Sequence, residues 1–156
     1  MKVFLLISAV LLANKAYSAS TGTLIISGTV APITNIVVNP TADASNLNIT
    51  NGETSKIVAS VVETCNVLAS YRIRMRSTNN SKLKHTTDPT NNTTYTISYD
   101  NGPYIALSTT DQDVKISGGL YSLTTNTSSV RVNVAAYETA PAGVYSDTIT
   151  ISIVSP

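Results

Sequence analysis

The stretch Thr23-Leu24-Ile25-Ile26-Ser27-Gly28-Thr29-Val30 decides the fold that this sequence predicts. Every second residue, namely Leu24, Ile26, Gly28 and Val30, falls on one face of an extended chain, as in a β-strand with one buried face. A strand close to a free N-terminus needs a neighbour for its backbone hydrogen bonds. We expect that neighbour to lie in another copy of the chain.

The first residues are typical of a secretory leader. Met1-Lys2 precedes an apolar run over residues 3–13, which is too short to span a bilayer comfortably. Small residues predict cleavage after Ser18, with Ala19 as the other candidate. We therefore expect export, and the rest of the sequence contains no run of about 18 apolar residues that would predict a membrane span.

The predicted organisation has three parts: a signal peptide over 1–18, an N-terminal extension over 19–32 and one domain over 33–156. The 156 residues carry ten Lys and Arg against nine Asp and Glu. Removing Lys2 and Lys15 with the leader leaves eight basic residues against nine acidic ones. This balance does not favour nucleic acid or an anionic membrane as a partner.

Short apolar segments recur about every ten residues and predict an all-β sandwich. The clearest alternation is Tyr71-Arg72-Ile73-Arg74-Met75-Arg76, whose apolar members are expected to face inward. Residues 77–92 are polar and are predicted to form a long loop. The expected strands span residues 33–40, 47–49, 56–63, 71–76, 94–99, 104–107, 114–116, 120–123, 129–135 and 144–153.

The last predicted strand places Ile149, Ile151 and Ile153 on one face. At the rim of a sheet it would expose unpaired backbone groups beside a row of isoleucines, a combination that natural proteins avoid. The alternating segment 23–30 has a suitable length and pattern to cover this edge by strand addition. Burying its three large apolar side chains would contribute on the order of 5 kcal/mol or more.

The segment 23–30 resembles the N-terminal donor extension of chaperone–usher pilins, including the glycine in the alternating set. The stretches 71–76, 77–83, 95–99 and 142–151 are similar to bacterial fimbrial and spore-coat-U-like secreted domains. Unlike many pilins, the chain has one cysteine and no aromatic residue at its end.

The resemblance implies an incomplete immunoglobulin-like β-sandwich that is completed by a donor strand from another subunit. It also implies a periplasmic chaperone, an outer-membrane usher and head-to-tail assembly with copies of itself or related pilus subunits. Leu24, Ile26 and Val30 would fill the groove of the next subunit, and Gly28 would be the close-packing position. Ile149, Ile151 and Ile153 would form the acceptor edge.

The sequence offers few candidates for catalysis or metal binding. His85 lies in a polar stretch, so a solvated loop residue is the better interpretation than a base or ligand. Asp111-Gln112-Asp113 lacks the spacing of a calcium loop and favours a turn. Cys65 is expected to be buried or unpaired, the alternative being an intermolecular disulfide. We predict no catalytic residue, metal or cofactor.

Arg72, Arg74 and Arg76 form a basic stripe along one predicted strand. The stripe is either the solvated face of that strand or a contact for an acidic glycan or another polyanion, and we favour the first interpretation.

Three functions follow as hypotheses. The first is a structural subunit of a surface fimbria, assembled by donor-strand exchange and serving adhesion or biofilm formation. The second is a monomeric secreted β-sandwich that binds a carbohydrate or protein ligand. The third, a small hydrolase, is disfavoured because no nucleophile and base are paired in the sequence.

Overall fold

The computed structural model describes residues 20–119 and 122–155, which fall into two units that divide between Val30 and Ala31. The signal peptide predicted over 1–18 lies outside the described residues. Residues 20–30 form the described part of the first unit and contain no assigned strand or helix. The second unit carries the sheets.

Nine strands and one short 3-10 helix are described in the second unit. The helix spans Ala42–Ser45. The strands are β1 (Thr34–Pro40), β2 (Glu53–Cys65), β3 (Arg72–Ser77), β4 (Lys82–His85), β5 (Asn92–Tyr99), β6 (Gln112–Ile116), β7 (Thr124–Val134), β8 (Tyr145–Ser146) and β9 (Ile149–Val154).

The strands form two antiparallel sheets. The larger sheet has the order β1-β2-β7-β5-β4-β8, and the smaller has the order β6-β3-β9. Val61 and Val130 of the larger sheet share one buried core with Ile73 and Met75 of the smaller one. The all-β class predicted from the sequence is thereby confirmed, and two antiparallel sheets around one core are consistent with the predicted β-sandwich. Among the described residues, no helix is long and apolar enough to cross a bilayer.

Strong alternation located several strands correctly. Tyr71, Ile73 and Met75 are buried, while Arg72 and Arg76 are exposed at the surface of the smaller sheet. Alternation produces this result because successive side chains of a strand point to opposite faces. The predicted strands at 33–40, 56–63 and 129–135 likewise fall on β1, β2 and β7.

Several local predictions were wrong. Residues 104–107 form no strand, and Ile105 makes only an isolated bridge with Ile97. The described part of the predicted strand 120–123 has no assigned strand either. The polar stretch 77–92 contains β4, and residues 47–49 form no strand although Leu47 and Ile49 pack against the core. The predicted strand 144–153 is divided into β8 and β9 around Asp147. Asp147 interrupts the strand because its carboxylate accepts a hydrogen bond from the backbone N–H of Asn79 at 3.0 Å and another from that of Thr148.

Candidate functional site

An apolar groove of about 280 Å³ opens between β1 and β9. Val38 of β1 lies on one wall, and Ile149 and Ile151 of β9 lie on the other. Val58 and Val132 of the larger sheet contribute to the lining between them. The groove is therefore an extension of the hydrophobic core that reaches the surface.

Both walls of the groove are edge strands. β1 is one of the two edge strands of the larger sheet, and β9 is one of the two edge strands of the smaller sheet. The outer edge of each strand therefore presents backbone N–H and C=O groups that no neighbouring strand of its sheet pairs. Such an edge is a template for another extended segment.

Val38 shows how open the groove is. It lies opposite Val61 in the register of β1 and β2, so both side chains point to the same face of the sheet. Val61 is fully buried, whereas Val38 is 41% exposed. An inward-facing valine with this exposure indicates that none of the described elements covers the core at this point of β1.

Asp147 is the charged residue in the lining of the groove. Its Oδ2 accepts hydrogen bonds from the hydroxyls of Tyr95, at 2.6 Å, and Ser77. Burial, followed by this hydrogen bond, raises the pKa of Tyr95 far above its ordinary value. The carboxylate is therefore engaged by groups of its own chain, and most other residues of the lining are apolar.

A second cavity of about 400 Å³ shares Ala44, Leu47 and Asp147 with the groove. Val144 and Tyr145 line its other side. The groove therefore continues into a wider, more polar mouth between the 3-10 helix and β8.

His85 lies beside Gly143, which lines this mouth, and is not the solvated loop residue that the sequence predicted. It is buried in β4, and its ring meets the ring of Tyr145 edge to face with centroids 5.1 Å apart. Its Nδ1 accepts hydrogen bonds from the backbone N–H groups of Thr87 and Asp88. Its Nε2 therefore carries the proton, which it donates to the carbonyl oxygen of Ala142 at 3.2 Å.

Gly143 is required beside this histidine. A Cβ added at Gly143 would lie 2.0 Å from the Nε2 of His85, and the residue has a φ of +154°. The histidine and the glycine together hold the turn before β8. Sequence reasoning missed the arrangement because a buried histidine and a solvated one have the same local pattern.

The predicted donor residues lie in the first unit. Leu24, Ile26 and Val30 are each at least 83% exposed. A Cβ added at Gly28 would meet no atom within 4 Å. The three large residues of the predicted donor face are therefore exposed, as is Ile25 on the opposite face.

The predicted acceptor residues lie in β9. Ile149, Ile151 and Ile153 are partly buried and pack against the core of the second unit. Ile149 and Ile151 also line the groove, whereas Ile153 pairs with Ile73 further along the strand. The structure thus brings the predicted edge and the groove together.

The basic stripe is matched by acidic residues on the adjacent strand β6 and the turn before it. Asp113 accepts hydrogen bonds from Arg72 and Arg74, and Asp111 accepts one from Arg76 at 3.0 Å. The guanidinium groups of Arg74 and Arg72 hold the pKa of Asp113 below its ordinary value. The Asp111–Asp113 stretch that was interpreted as a turn therefore supplies counter-ions to the stripe.

Cys65 is fully buried at the end of β2, and its Sγ lies 4.0 Å from the hydroxyl oxygen of Thr34. Burial agrees with the first interpretation of this residue and leaves no surface for an intermolecular disulfide. In the described residues, no group of three or more His, Cys, Asp or Glu side chains is arranged to hold a metal ion.

A buried polar cluster around Glu63 was not anticipated from the sequence. The carboxylate of Glu63 is inaccessible to solvent and accepts hydrogen bonds from Tyr71, Tyr99 and Ser128. The ammonium group of Lys115 lies 3.1 Å from Glu63 and 2.8 Å from Asp100. We refer to Glu63, Tyr71, Tyr99, Lys115 and Ser128 as the Glu63 cluster.

The charged forms of Glu63 and Lys115 are stabilised by the groups that hydrogen-bond to them. Burial alone would raise the pKa of Glu63, but hydrogen bonds from Tyr71, Tyr99, Ser128 and Lys115 together hold it below its ordinary value. Burial would lower the pKa of Lys115, but its bonds to Asp100 and Glu63 raise it. Because Glu63 and Lys115 are both charged and paired with each other, neither is available as a general base. Since Lys115 belongs to the smaller sheet and Glu63 to the larger one, the cluster links the two sheets.

A scan against protein-family models and a search of curated proteins both found no match to this chain. The features that bear on function are therefore the groove, the exposed segment 23–30 and the link between them at residues 31–33.

Proposed function

We propose that this protein is a structural subunit of a bacterial surface fimbria that polymerises by donor-strand exchange. In this proposal, residues 23–30 of one copy occupy the groove of another. The observation that carries it is the apolar groove between two edge strands, in a chain that also has an exposed, alternating apolar segment.

The segment matches in length the strand edge with which it would pair. Eight extended residues span about 26 Å, and the seven residues of β1, of which Val38 and Pro40 line the groove, span about 23 Å. Residues of one face recur about every 7 Å along such a segment. Three large side chains and one glycine would then point between β1 and β9, while the segment backbone pairs with an open strand edge.

The link between the segment and the sheet favours exchange between copies. The side chain of Asn66 donates a hydrogen bond to the carbonyl oxygen of Ala31 and accepts one from the N–H of Ile33 at 2.6 Å. These bonds fix the backbone on both sides of Pro32, whose ring already restricts φ. A segment that entered the groove of its own chain would have to reverse direction at this pinned link.

The energetics also favour a partner. Transferring Leu24, Ile26 and Val30 from water into an apolar groove contributes on the order of 5 kcal/mol or more. This free energy is comparable to the total stability of a small domain. A copy with an empty groove would therefore be marginal, which supports the need for a periplasmic chaperone and an usher during export.

The decisive variant is Gly28→Leu, because a side chain at this position meets nothing within its own chain. We expect mature protein from a bacterial periplasm to run as a ladder of oligomers on SDS-PAGE when unboiled and as one band when boiled. Gly28→Leu should abolish the ladder, since a bulky residue cannot replace the glycine between β1 and β9. Gly22→Leu is the matched control, because that glycine is equally open but precedes the segment.

A single heat-stable monomer that is indifferent to Gly28→Leu would contradict the proposal. That result would favour the second hypothesis, a monomeric secreted β-sandwich that binds a carbohydrate or protein ligand.

A further inference from the structure

One end of the sandwich has an unusual number of exposed apolar side chains. In the described part of the second unit, Leu68, Ile116 and Leu123 are each more than half exposed. Ile33 and Val154 are exposed to a smaller extent. We call these five residues the apolar end.

The register places the five residues together. Arg72 pairs with Ile116 on one side and with Val154 on the other. The backbone of Ile33 is bonded to Asn66, two residues before Leu68. Leu123 immediately precedes Thr124, the residue that pairs with Cys65 at the end of β2. The strands β1, β2, β3, β6, β7 and β9 all have a terminus at this end.

The apolar end is also poor in charge. Residues 64–71, 116–130 and 150–156 contain no Asp, Glu, Lys, Arg or His. The nearby Arg72 is paired with Asp113. A cluster of exposed apolar residues without charge is a surface that a protein partner covers favourably, because little polar surface has to be desolvated.

We infer that the apolar end packs against the next copy of this chain, at the end of the sandwich that carries Val144. This inference rests on the proposed function and adds a second contact surface to it. Ala31 is bonded to Asn66 at the apolar end, and Val30 directly precedes it. Because neighbouring Cα atoms are 3.8 Å apart, a copy that holds Val30 in its groove must touch this end.

The direction of the groove selects the opposing surface. β1 leaves the apolar end at Thr34, and β9 returns to it at Val154. The groove is lined by the parts of these two strands that lie away from the apolar end, and it opens into the mouth at that opposite end. The lining residues of β1 are Val38 and Pro40, and those of β9 are Ile149 and Ile151. Val144, which lines the mouth, is the fourth large apolar residue in the described part of the second unit that is more than half exposed.

Only one orientation of the segment produces a repeating assembly. If Val30 leaves the acceptor at the mouth, each apolar end meets the Val144 surface of its neighbour, and the contact repeats along a fibre. If Val30 leaves at the acceptor's apolar end, two apolar ends face each other and the pair closes.

The test is chemical crosslinking of the mature chain with cysteine at both surfaces. Leu68→Cys combined with Val144→Cys, treated with a short flexible bismaleimide, should give a covalent ladder that survives boiling. Each single variant should remain uncrosslinked, and adding Gly28→Leu to the double variant should remove the ladder. Native Cys65 is buried and does not compete.

A second measurement removes the apolar surface without adding a crosslink. Leu68→Asn with Leu123→Asn should leave the unboiled ladder in place but make its oligomers dissociate about tenfold faster on warming. Ile57→Asn is the control, because Ile57 is exposed on β2 away from the apolar end.

The outcomes separate this inference from the proposed function. A heat-dissociable ladder without crosslinking and without faster dissociation would overturn the contact and leave strand exchange intact. Covalent dimers from Leu68→Cys alone would also overturn it, because they would place two apolar ends face to face. Absence of any heat-dissociable ladder in the unaltered chain would defeat the proposed function, and the contact with it.

Discussion

The space between the two sheets is filled differently in its two halves. Around Glu63, side chains from both sheets meet in hydrogen bonds and ion pairs, with Lys115 of β6 3.1 Å from the carboxylate. Around Val58 and Val132, the same space opens as an apolar groove between β1 and β9. The first half is closed by polar groups of its own chain, and the second is open and lined mostly by apolar side chains.

Under the proposed function, this difference explains how a chain can be folded and still accept a strand from another copy. Polar contacts in the Glu63 cluster have defined geometry, so they hold the sheets in place without help from a partner. Hydrophobic burial has no such directionality, so an extended segment with suitable alternation can supply it from outside.

The largest effect is expected from placing a charge in the groove. Val38→Asp should abolish oligomers, because strand addition would bury an unpaired carboxylate. Val37→Asp is the matched control: it is the adjacent residue of β1, is 44% exposed and points to the opposite face. Unboiled SDS-PAGE of the two variants gives the comparison. Equal loss of oligomers in both would show that the face of β1 does not matter.

The next effect concerns the closed half. Glu63→Ala should lower the free energy of unfolding by about 3 kcal/mol, because it leaves Lys115 and two tyrosine hydroxyls without their buried partner. Urea unfolding at neutral pH measures the change, and Glu138→Ala controls for loss of an exposed glutamate. A change as small as that of the control would mean that the cluster does not hold the sheets together.

A smaller effect on stability is expected when the pH is lowered. The pKa of Glu63 in the folded chain lies below its ordinary value of 4.5. Its contribution to stability is therefore complete above that pH and is lost as the pH falls through the folded-state pKa. Urea midpoints between pH 7 and pH 3 should fall less steeply for Glu63→Gln than for the unaltered chain. Parallel curves would contradict the lowered pKa.

The smallest effect is expected at the basic stripe. Replacing Arg72, Arg74 and Arg76 with Ser should change binding to an immobilised anionic glycan very little, because Asp111 and Asp113 already pair with these arginines. Exposed ion pairs of this kind also contribute little to stability. Retention on a heparin column tests this prediction. Strong retention that disappears in the triple variant would restore the polyanion-binding hypothesis.

Local patterns predicted much of the sheet structure. The alternation at Tyr71–Arg76 located β3 because one face is apolar and the other is charged. β4 was missed because its inward residues are Leu83 and His85, and histidine is counted as polar in a periodicity argument. Asp147 divided the last predicted strand through bonds to residues about 70 positions away, which no local pattern contains.

The sequence predicted the separate segments of the candidate site but not the groove that they form. The alternation of residues 23–30 and the isoleucines of β9 are visible in the sequence. The groove arises because β1 and β9 become the edges of different sheets, which depends on the order of all nine described strands. The Glu63 cluster combines residues from β2, β5, β6 and β7, and it became visible only once these strands were assembled.

The central claim is that the segment of one copy completes the groove of another, and a mixing experiment tests it most directly. One population carries Gly28→Leu and has an intact groove, while the other carries Val38→Asp and has an intact segment. Each alone should remain monomeric, and mixing them after brief partial unfolding should yield heat-dissociable heterodimers that contain one chain of each kind. Monomers that persist in the mixture, although both variants fold, would contradict strand exchange between copies.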